Sequence, residues 1–383
     1  MKTPLALAVL GVAALLARPV LADELVYDTR EALGEALFFD VNLSHDRTQA
    51  CATCHNPDFA FTDPRETAAG RAVSLGDDGQ SLGDRNAPTA SYAALTPEFH
   101  RSPSGLWVGG QFWDGRAANL AAQAGGPPLN PVEMAMPDKA SVVARLAENP
   151  DYVAAFGHLY GEGVLEDPEA GYAAMAESLA AFEKTDFFAP FDSKYDRYLR
   201  GEYQLTPEEE LGRLLFFSEQ FTNCNLCHQL GPGQMDPHET FSNYQYHNIG
   251  VPVHAGVRAA NGSAPDYVDR GLLDNPAVDD PGEAGKFKVP TLRNVAVTGP
   301  YMHNGVFQDL RTVVLFYNKY NSTDPARQIN PETGAPFGPP EVDGTLSMKE
   351  LTTGPALDDQ RIDALVAFLK TLTDRRYEDL LED

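Results

Sequence analysis

The chain has 383 residues, and its 55 acidic and 29 basic side chains give a formal net charge of −26. Proteins that follow a phosphate backbone use clustered Lys and Arg side chains, so this charge excludes a nucleic-acid partner. Hydrophobic residues make up 43% of the chain, which excludes a disordered protein, and the length predicts two or three domains.

The first 22 residues have the pattern of a secretory signal. Lys2 precedes an apolar run from Leu5 to Leu16, and Ala22 ends a short segment of the kind that signal peptidase cleaves. We expect cleavage after Ala22 and export to the periplasm. The apolar run is shorter than the roughly 18–20 residues that a spanning helix needs, so no permanent membrane anchor is expected.

All four cysteines fall in two copies of the motif C-x-x-C-H, one ending at His55 and one at His228. Two thiols at this spacing add to the vinyl groups of a porphyrin, and the adjacent histidine binds the iron. A single copy is also compatible with a thioredoxin-type redox pair or half of a zinc site. Two copies behind a signal peptide predict two covalent c-type haems and no disulfide. The attaching cysteines are Cys51, Cys54, Cys224 and Cys227.

A short repeat precedes each haem motif. Residues 33–39 read LGEALFF and residues 211–217 read LGRLLFF, so the same amphipathic helix leads into each haem. The second helix has a start signal in Thr206-Pro207-Glu208-Glu209, with an N-cap, a proline and a glutamate at N3. We therefore predict two tandem cytochrome-c-like domains. The predicted segments are a signal peptide at 1–22, an N-terminal domain at 23–200 and a C-terminal domain at 201–383.

The remaining sequence is typical of helices joined by long loops. Apolar residues recur at helical spacing, as at Tyr172, Met175 and Leu179. No run alternates convincingly enough to predict a sheet. The predicted fold class is mainly α, wrapped around two haems. The Gly-, Pro- and Asp-rich loops are 62–88, 255–285 and 321–345.

A haem that activates a small oxidant keeps an open sixth position, whereas an electron-transfer haem is closed by a second protein ligand. No histidine or methionine occurs between residues 56 and 99, which predicts an open first haem. His45 and His100 are the alternatives that fold over it. Spacing alone does not choose the second ligand of the second haem. Its candidates downstream of His228 are Met235, His238, His247, His254, Met302, His303, Tyr317 and Met348.

Several ordered motifs accompany the haem signatures. They are Phe61 to Asp63, Arg85 to Pro88, Phe112 to Arg116, Glu133-Met134, Lys288 to Asn294 and Pro300 to Gly305. In this order, and over essentially the whole mature chain, they resemble the bacterial di-haem cytochrome c peroxidase and MauG superfamily. The resemblance implies a haem-dependent oxidoreductase of the peroxidase class, with hydrogen peroxide as its oxidant.

The two branches of that superfamily differ in their axial ligands. Typical peroxidases have a histidine on the loop after the first haem motif and a methionine on the second haem. MauG-like proteins lack that histidine and use a tyrosine instead of the methionine. This chain lacks the histidine and has Tyr317 on the helix after Pro300 to Gly305. The resemblance therefore implies the MauG-like branch, with Tyr317 as a ligand of the second iron.

The resemblance also implies which residues surround the open haem. It places Glu133 over the distal face, where a carboxylate moves a proton between the two oxygens of peroxide. Gln123 and Pro127 line the same pocket, and burial beside the haem is expected to raise the pKa of Glu133. Trp113 is implied as a relay for electrons between the haems. No role follows for the second tryptophan, Trp107.

A calcium ion between the haems is implied as well. Its ligands are the Asn86 side chain and the carbonyl oxygens of Thr298 and Pro300, which are hard donors that suit Ca²⁺. One position departs from MauG, which has a tryptophan two positions before its second haem motif. This chain has Thr222 there, which puts the same electron exit route, and the same partner, in doubt.

Three functions are compared. The leading one is a periplasmic MauG-like enzyme that uses hydrogen peroxide to form a high-valent di-haem state. It then oxidises aromatic residues, tryptophan above all, of a partner protein by long-range electron transfer. The alternative is a di-haem cytochrome c peroxidase that takes electrons from a small cytochrome c or a cupredoxin. The third is a di-haem electron carrier with two six-coordinate irons.

Overall fold

The computed structural model describes residues 25–231 and 236–381. The predicted signal peptide at 1–22 and the candidate ligand Met235 lie outside these ranges. Within the two ranges, no helix is both long enough and apolar enough to cross a membrane. The secondary structure there is mainly helical, which confirms the predicted class.

Twelve α-helices occur in the described ranges, most of them short and separated by loops and 3-10 turns. They are α1 (Arg30–Phe38), α2 (Cys51–Cys54), α3 (Leu120–Ala124), α4 (Lys139–Leu146), α5 (Pro150–Tyr160), α6 (Pro168–Phe182), α7 (Lys194–Leu199), α8 (Pro207–Phe216), α9 (Ala255–Ala260), α10 (Leu310–Asn318), α11 (Met348–Leu351) and α12 (Asp359–Lys370). The first haem motif forms α2, and the second forms a single 3-10 turn.

The same ranges also contain very short strands, which are β1 (Ala68–Arg71), β2 (His100–Arg101), β3 (Trp107–Val108), β4 (Tyr246–His247), β5 (Phe287–Lys288), β6 (Ile329–Asn330) and β7 (Ala335–Pro336). Six of them pair as three antiparallel ladders, β2 with β3, β4 with β5 and β6 with β7. Each paired strand has two residues, so its sequence is too short to alternate. This is why the sequence pattern predicts no sheet.

The start of α8 follows the predicted capping signal. The Thr206 hydroxyl accepts a hydrogen bond from the Glu209 amide at 3.2 Å, and the Glu209 carboxylate accepts one from the Thr206 amide at 2.8 Å. Pro207 occupies the first helical position, where no intrahelical donor is needed. The helix that leads into the second haem motif therefore begins at the predicted residue.

Two hydrophobic cores contain the two haem-motif segments. In the first, α1 packs on α6 through Phe38 and Phe182, whose ring centroids are 5.6 Å apart. In the second, α8 packs on α12 through Phe216 and Phe368, whose centroids are 5.3 Å apart. Each pair joins the helix before a haem motif to a helix about 150 residues further along the chain.

The glycine of each predicted repeat explains how closely these helices cross. A Cβ on Gly34 would lie 1.9 Å from the carbonyl oxygen of Ser178, and a Cβ on Gly212 would lie 1.9 Å from that of Ala364. No side chain fits at either crossing, because real contacts of a Cβ are far longer. The repeat therefore encodes the same helix contact twice.

The two cores also share residues across their boundary. The Tyr92 hydroxyl donates to Asp374 at 2.6 Å, and the guanidinium of Arg376 lies 5.2 Å from the Phe61 ring centroid. In the other direction, Tyr195 of α7 precedes residue 200 but packs in the second core. The end of the chain thus contacts the first core directly.

Candidate active site

Each haem motif opens into its own cavity. The first cavity, of about 910 Å³, is lined by Cys51, Cys54 and His55. The second, of about 210 Å³, is lined by the two thiols of the other motif and by His228. None of the four cysteines forms a disulfide in the structure. Paired thiols beside a histidine in an apolar cavity form a donor set that fits a c-type haem.

The two histidines are oriented in the same way. His55 Nδ1 lies 3.1 Å from the Phe61 carbonyl oxygen, and His228 Nδ1 lies 3.0 Å from the Phe241 carbonyl oxygen. Because a carbonyl only accepts, Nδ1 carries the proton in both rings, which leaves Nε2 as the ligand atom. Burial lowers the pKa of both imidazoles, that of His228 to about 4, so both are neutral and able to bind a metal.

The first cavity brings together the predicted distal residues. Glu133, Gln123, Pro127 and Trp113 all line it, and all four come from the continuous stretch 113–133. The Glu133 amide donates to Asn130 at 3.0 Å, which fixes the loop. Burial raises the pKa of the Glu133 carboxyl, as expected, and the nearby Arg116 opposes this only in part.

The first cavity offers no second histidine among its described lining residues, where His55 is the only one. Its one methionine, Met134, is buried in the first hydrophobic core. The alternatives His45 and His100 are exposed and do not line the cavity; their Nδ1 atoms face Asp46 and the Glu98 carbonyl.

The second cavity narrows the set of candidate ligands. Tyr317, Met302, His303 and His247 line it. Three others do not: His238 is exposed, His254 caps α9, and Met348 is exposed. His303 stacks on the Phe287 ring, with centroids 3.6 Å apart.

Tyr317 faces the second pair of thiols from α10. Burial, together with the nearby Cys227 and Cys224 thiols, raises the pKa of the Tyr317 hydroxyl. The same environment that favours the neutral phenol leaves the oxygen directed into an apolar cavity. A tyrosinate at this position needs a positively charged partner in the cavity.

A third, smaller cavity of about 140 Å³ lies between the other two. It is lined by the predicted calcium residues Asn86, Thr298 and Pro300, and by Trp113. Asn86 donates its Nδ2 proton to the Ala72 carbonyl at 3.1 Å, so its Oδ1 stays available as an oxygen ligand. Trp113 Nε1 donates to the Asn86 carbonyl at 2.8 Å, which fixes the indole between the haem cavities.

The sequence predicts no role for two ionisable side chains near the cavities. Glu183, 7% exposed, lines the first cavity near Cys51, and burial raises its pKa to about 8. Lys288 lies between the cavities and donates its Nζ proton to the Gly110 carbonyl, and burial lowers its pKa to about 7. Lys288 belongs to a quoted motif, whereas no sequence signal marks Glu183.

The comparisons with known proteins agree with this geometry. The sequence model described as "Di-haem cytochrome c peroxidase" matches residues 28–204. The methylamine utilization protein MauG of Paracoccus denitrificans (strain Pd 1222) is 60% identical over 356 residues, which cover 93% of this chain and 91% of that relative. A second MauG, from Methylophilus methylotrophus, is 31% identical and is matched over 72% of its length.

Two solved structures are similar over most of the chain. The diheme peroxidase BthA from Burkholderia thailandensis E264 has a TM-score of 0.80 at 36% identity, covering 92% of this chain and 88% of that one. A MauG-like protein associated with microbial copper homeostasis has a TM-score of 0.65 at 32% identity, covering 92% and 91%.

Fold, cavities and relatives together define a haem-dependent oxidoreductase that uses hydrogen peroxide. The family implies two c-type haems, which the two cavities and their free thiols fit. The chain belongs to the di-haem cytochrome c peroxidase and MauG family, and its similarity places it in the MauG-like branch. This membership sets aside the electron-carrier hypothesis.

Proposed function

We propose that the protein is a periplasmic MauG-like enzyme that takes oxidising equivalents from hydrogen peroxide and uses them to oxidise tryptophan residues of a partner protein at long range. The observation that carries the proposal is the difference between the two linings: among the described residues, the first cavity has Glu133 and a single histidine, His55, whereas the second has Tyr317 close to its thiols. Two tandem cytochrome-c-like domains, 23–200 and 201–383 after removal of 1–22, would hold the two haems.

A c-type haem in each cavity supplies a redox-active iron that exchanges single electrons. The thiols of each motif would attach the porphyrin, and His55 and His228 would bind the irons through Nε2. Tyr317 would be the further ligand of the second iron. An anionic oxygen ligand stabilises oxidised iron more than a thioether does, so the second site is suited to hold an oxidising equivalent.

Glu133 is the acid–base residue of the first site. Its carboxylate is placed to accept a proton from one oxygen of hydrogen peroxide and to return it to the other, while the haem irons would supply the electrons that cleave the O–O bond. Its raised pKa brings the carboxyl closer to the working pH, so both protonation states are accessible. Gln123 and Pro127 line the same cavity and restrict the space around the bound oxidant.

Trp113 connects the two sites. Its indole lines all three cavities and is held by the bond from Nε1 to the Asn86 carbonyl. An indole at this position is a stepping stone for electrons. A Ca²⁺ ion bound by the Asn86 side chain and the Thr298 and Pro300 carbonyls would hold the segments around it in place.

The alternative is a peroxidase that takes electrons from a small cytochrome c or cupredoxin, and Thr222 favours it. The Thr222 hydroxyl is buried and donates to the Leu215 carbonyl at 2.6 Å, so this position offers no oxidisable side chain to a protein substrate. After peroxide is added without an electron donor, oxidising equivalents persist in a MauG-like enzyme and do not persist in a peroxidase.

Peroxide added without reductant tests the choice. A MauG-like enzyme gives a long-lived near-infrared absorption, and electron paramagnetic resonance of the resting protein shows one high-spin haem. Tyr317→Met should abolish the near-infrared absorption. Tyr320→Phe is the matched control, because Tyr320 follows α10, does not line the second cavity and donates its hydroxyl proton to the Ile249 carbonyl. Rapid turnover with reduced cytochrome c and no persistent absorption supports the alternative.

A further inference from the structure

The chain has two tryptophans, and only one lies between the haem cavities. The other, Trp107, is in β3, which pairs with β2 at the surface. Its neighbour Leu106 is 49% exposed, and Arg101 on the partner strand is exposed with its guanidinium 5.8 Å from the Trp107 ring centroid. Trp107 itself is half-buried, so one part of the indole packs inward and the other faces solvent.

The buried side of Trp107 begins a continuous aromatic contact. Its ring stacks on Phe99, with centroids 4.8 Å apart and an angle of 3° between the planes. Phe99 contacts Tyr246 edge to face, with centroids 6.1 Å apart. The three rings share one small apolar cluster. Stacked and edge-to-face rings at these distances give close electronic contact from the surface to Tyr246.

Tyr246 lies next to the backbone of Trp113. It is the register partner of Lys288 in the ladder of β4 and β5, and the Lys288 amide donates to the Trp113 carbonyl at 2.9 Å. Gly115 completes the contact, because a Cβ there would lie 2.1 Å from the Tyr246 hydroxyl and 2.7 Å from the Phe99 ring. The absence of a side chain at Gly115 lets both rings press against the segment that carries Trp113.

We propose that Trp107 is the surface end of an electron path that runs through Phe99 and Tyr246 to Trp113. The inference rests on the proposed function, since it concerns how electrons reach the oxidised enzyme. It also accounts for Thr222, because a path on another face removes the need for a tryptophan beside the second haem motif.

The electrons and protons balance in one-electron steps. Trp113, oxidised with equivalents from hydrogen peroxide, receives one electron along the path from Trp107. Trp107 then releases its Nε1 proton to water, since the positive Arg101 disfavours a cationic indole. It recovers an electron from a one-electron donor such as reduced cytochrome c and a proton from water. Two such cycles consume the two oxidising equivalents of one peroxide. Phe99 is too hard to oxidise to hold a charge and acts as a packed bridge.

The test uses the holoenzyme with both haems, treated with hydrogen peroxide in the absence and presence of reduced cytochrome c as the donor. Without donor, we expect oxygen addition at Trp107 by peptide mass mapping, and at least tenfold less of it in Trp113→Phe. With donor, Trp107→Phe should slow donor oxidation at least tenfold, and Trp107→Tyr should restore most of the rate, because tyrosine is oxidisable and phenylalanine is not. Unchanged haem spectra in each variant verify folding.

The outcomes distinguish a failure of this electron path from a failure of the proposed function on which it rests. Wild-type protein that retains no oxidising equivalents after peroxide overturns the proposed function and the path with it. Wild-type protein that retains them, with Trp107 unmodified and Trp107→Phe as fast as wild type, overturns the path alone. A loss that Trp107→Tyr fails to restore also overturns it, because it shows that the indole acts only through packing.

Discussion

The two haem cavities are built from the same parts and differ in what stands opposite the histidine. Both have a thiol pair, a buried imidazole and a carbonyl 3.0–3.1 Å from Nδ1. The first is lined by Glu133, Gln123 and Pro127, whereas the second is lined by Tyr317, Met302 and His303. Under the proposed function, the same attachment motif serves two chemistries, and these lining side chains determine which cavity takes the oxidant.

The loss of one haem-attaching thiol should have the largest effect on the similarity between the two cavities. Cys51→Ala should impair haem loading at the first cavity, and Cys227→Ala at the second, because only one thioether can then form at the altered motif. Intact-mass measurement and the visible spectrum report the haem count. Two covalent haems retained in Cys227→Ala would contradict the assignment.

Glu133→Gln should slow the reaction with hydrogen peroxide by about 10²–10⁴-fold, the usual contribution of a positioned acid–base group. Both haems should remain attached, since Glu133 contacts only the first cavity. Stopped-flow absorbance after peroxide addition measures the rate, with the exposed Glu66→Gln as the matched control. Kinetics equal to wild type would remove Glu133 from the mechanism.

The pH dependence of the same rate gives a sharper test of Glu133. The carboxylate must be ionised to accept the peroxide proton, and burial raises its pKa. The rate should therefore fall as the pH drops, at a higher pH than for an ordinary glutamate, and this fall should be absent from Glu133→Gln. A flat profile in wild type would show that another group takes the proton.

Glu183 should make the stability of the first core sensitive to pH. Its pKa of about 8 lies above its unfolded value, so between those values the folded state holds a proton that the unfolded state has released. Stability therefore falls as pH rises through this window, by about 5 kcal/mol at 1.36 kcal/mol per unit. Glu183→Gln should flatten the thermal-unfolding midpoint between pH 5 and 8. An unchanged slope would show that Glu183 has a partner in the loaded protein.

The smallest expected effect comes from the two helix crossings. Gly34→Ala and Gly212→Ala force a Cβ into a backbone oxygen, and overpacking of this kind costs about 1–3 kcal/mol. Chemical denaturation measures it. Gly344→Ala is the matched control, because nothing lies within 4 Å of a Cβ there. Equal stability of all three variants would show that the crossings relax at no cost.

The sequence predicts the attachment chemistry and the helical class because these depend on residues close together in the chain. The repeat at 33–39 and 211–217 marks both crossings, and the capping signal at Thr206 marks the start of α8. The haem motifs need only three residues of spacing. Such local patterns involve neighbouring residues, so they do not depend on the contacts that the rest of the fold makes.

The cavities are formed by contacts between segments that are distant in sequence, so the spacing of motifs does not reveal which residues line them. The choice of Tyr317 over seven other candidates rests on resemblance, and the structure reduces the set only by showing which of them line the second cavity. Glu183 directly follows α6, and the sequence there resembles the polar end of any exposed helix. Its significance arises from burial, which no local pattern encodes.

The contacts of Asp374 and Arg376 with Tyr92 and Phe61 bear on biogenesis. A ribosome synthesises these two residues after both haem motifs, so the first core lacks part of its packing until translation has passed residue 376. A chain truncated before residue 374 should therefore mature less well at His55, although that site lies more than 300 residues away in sequence.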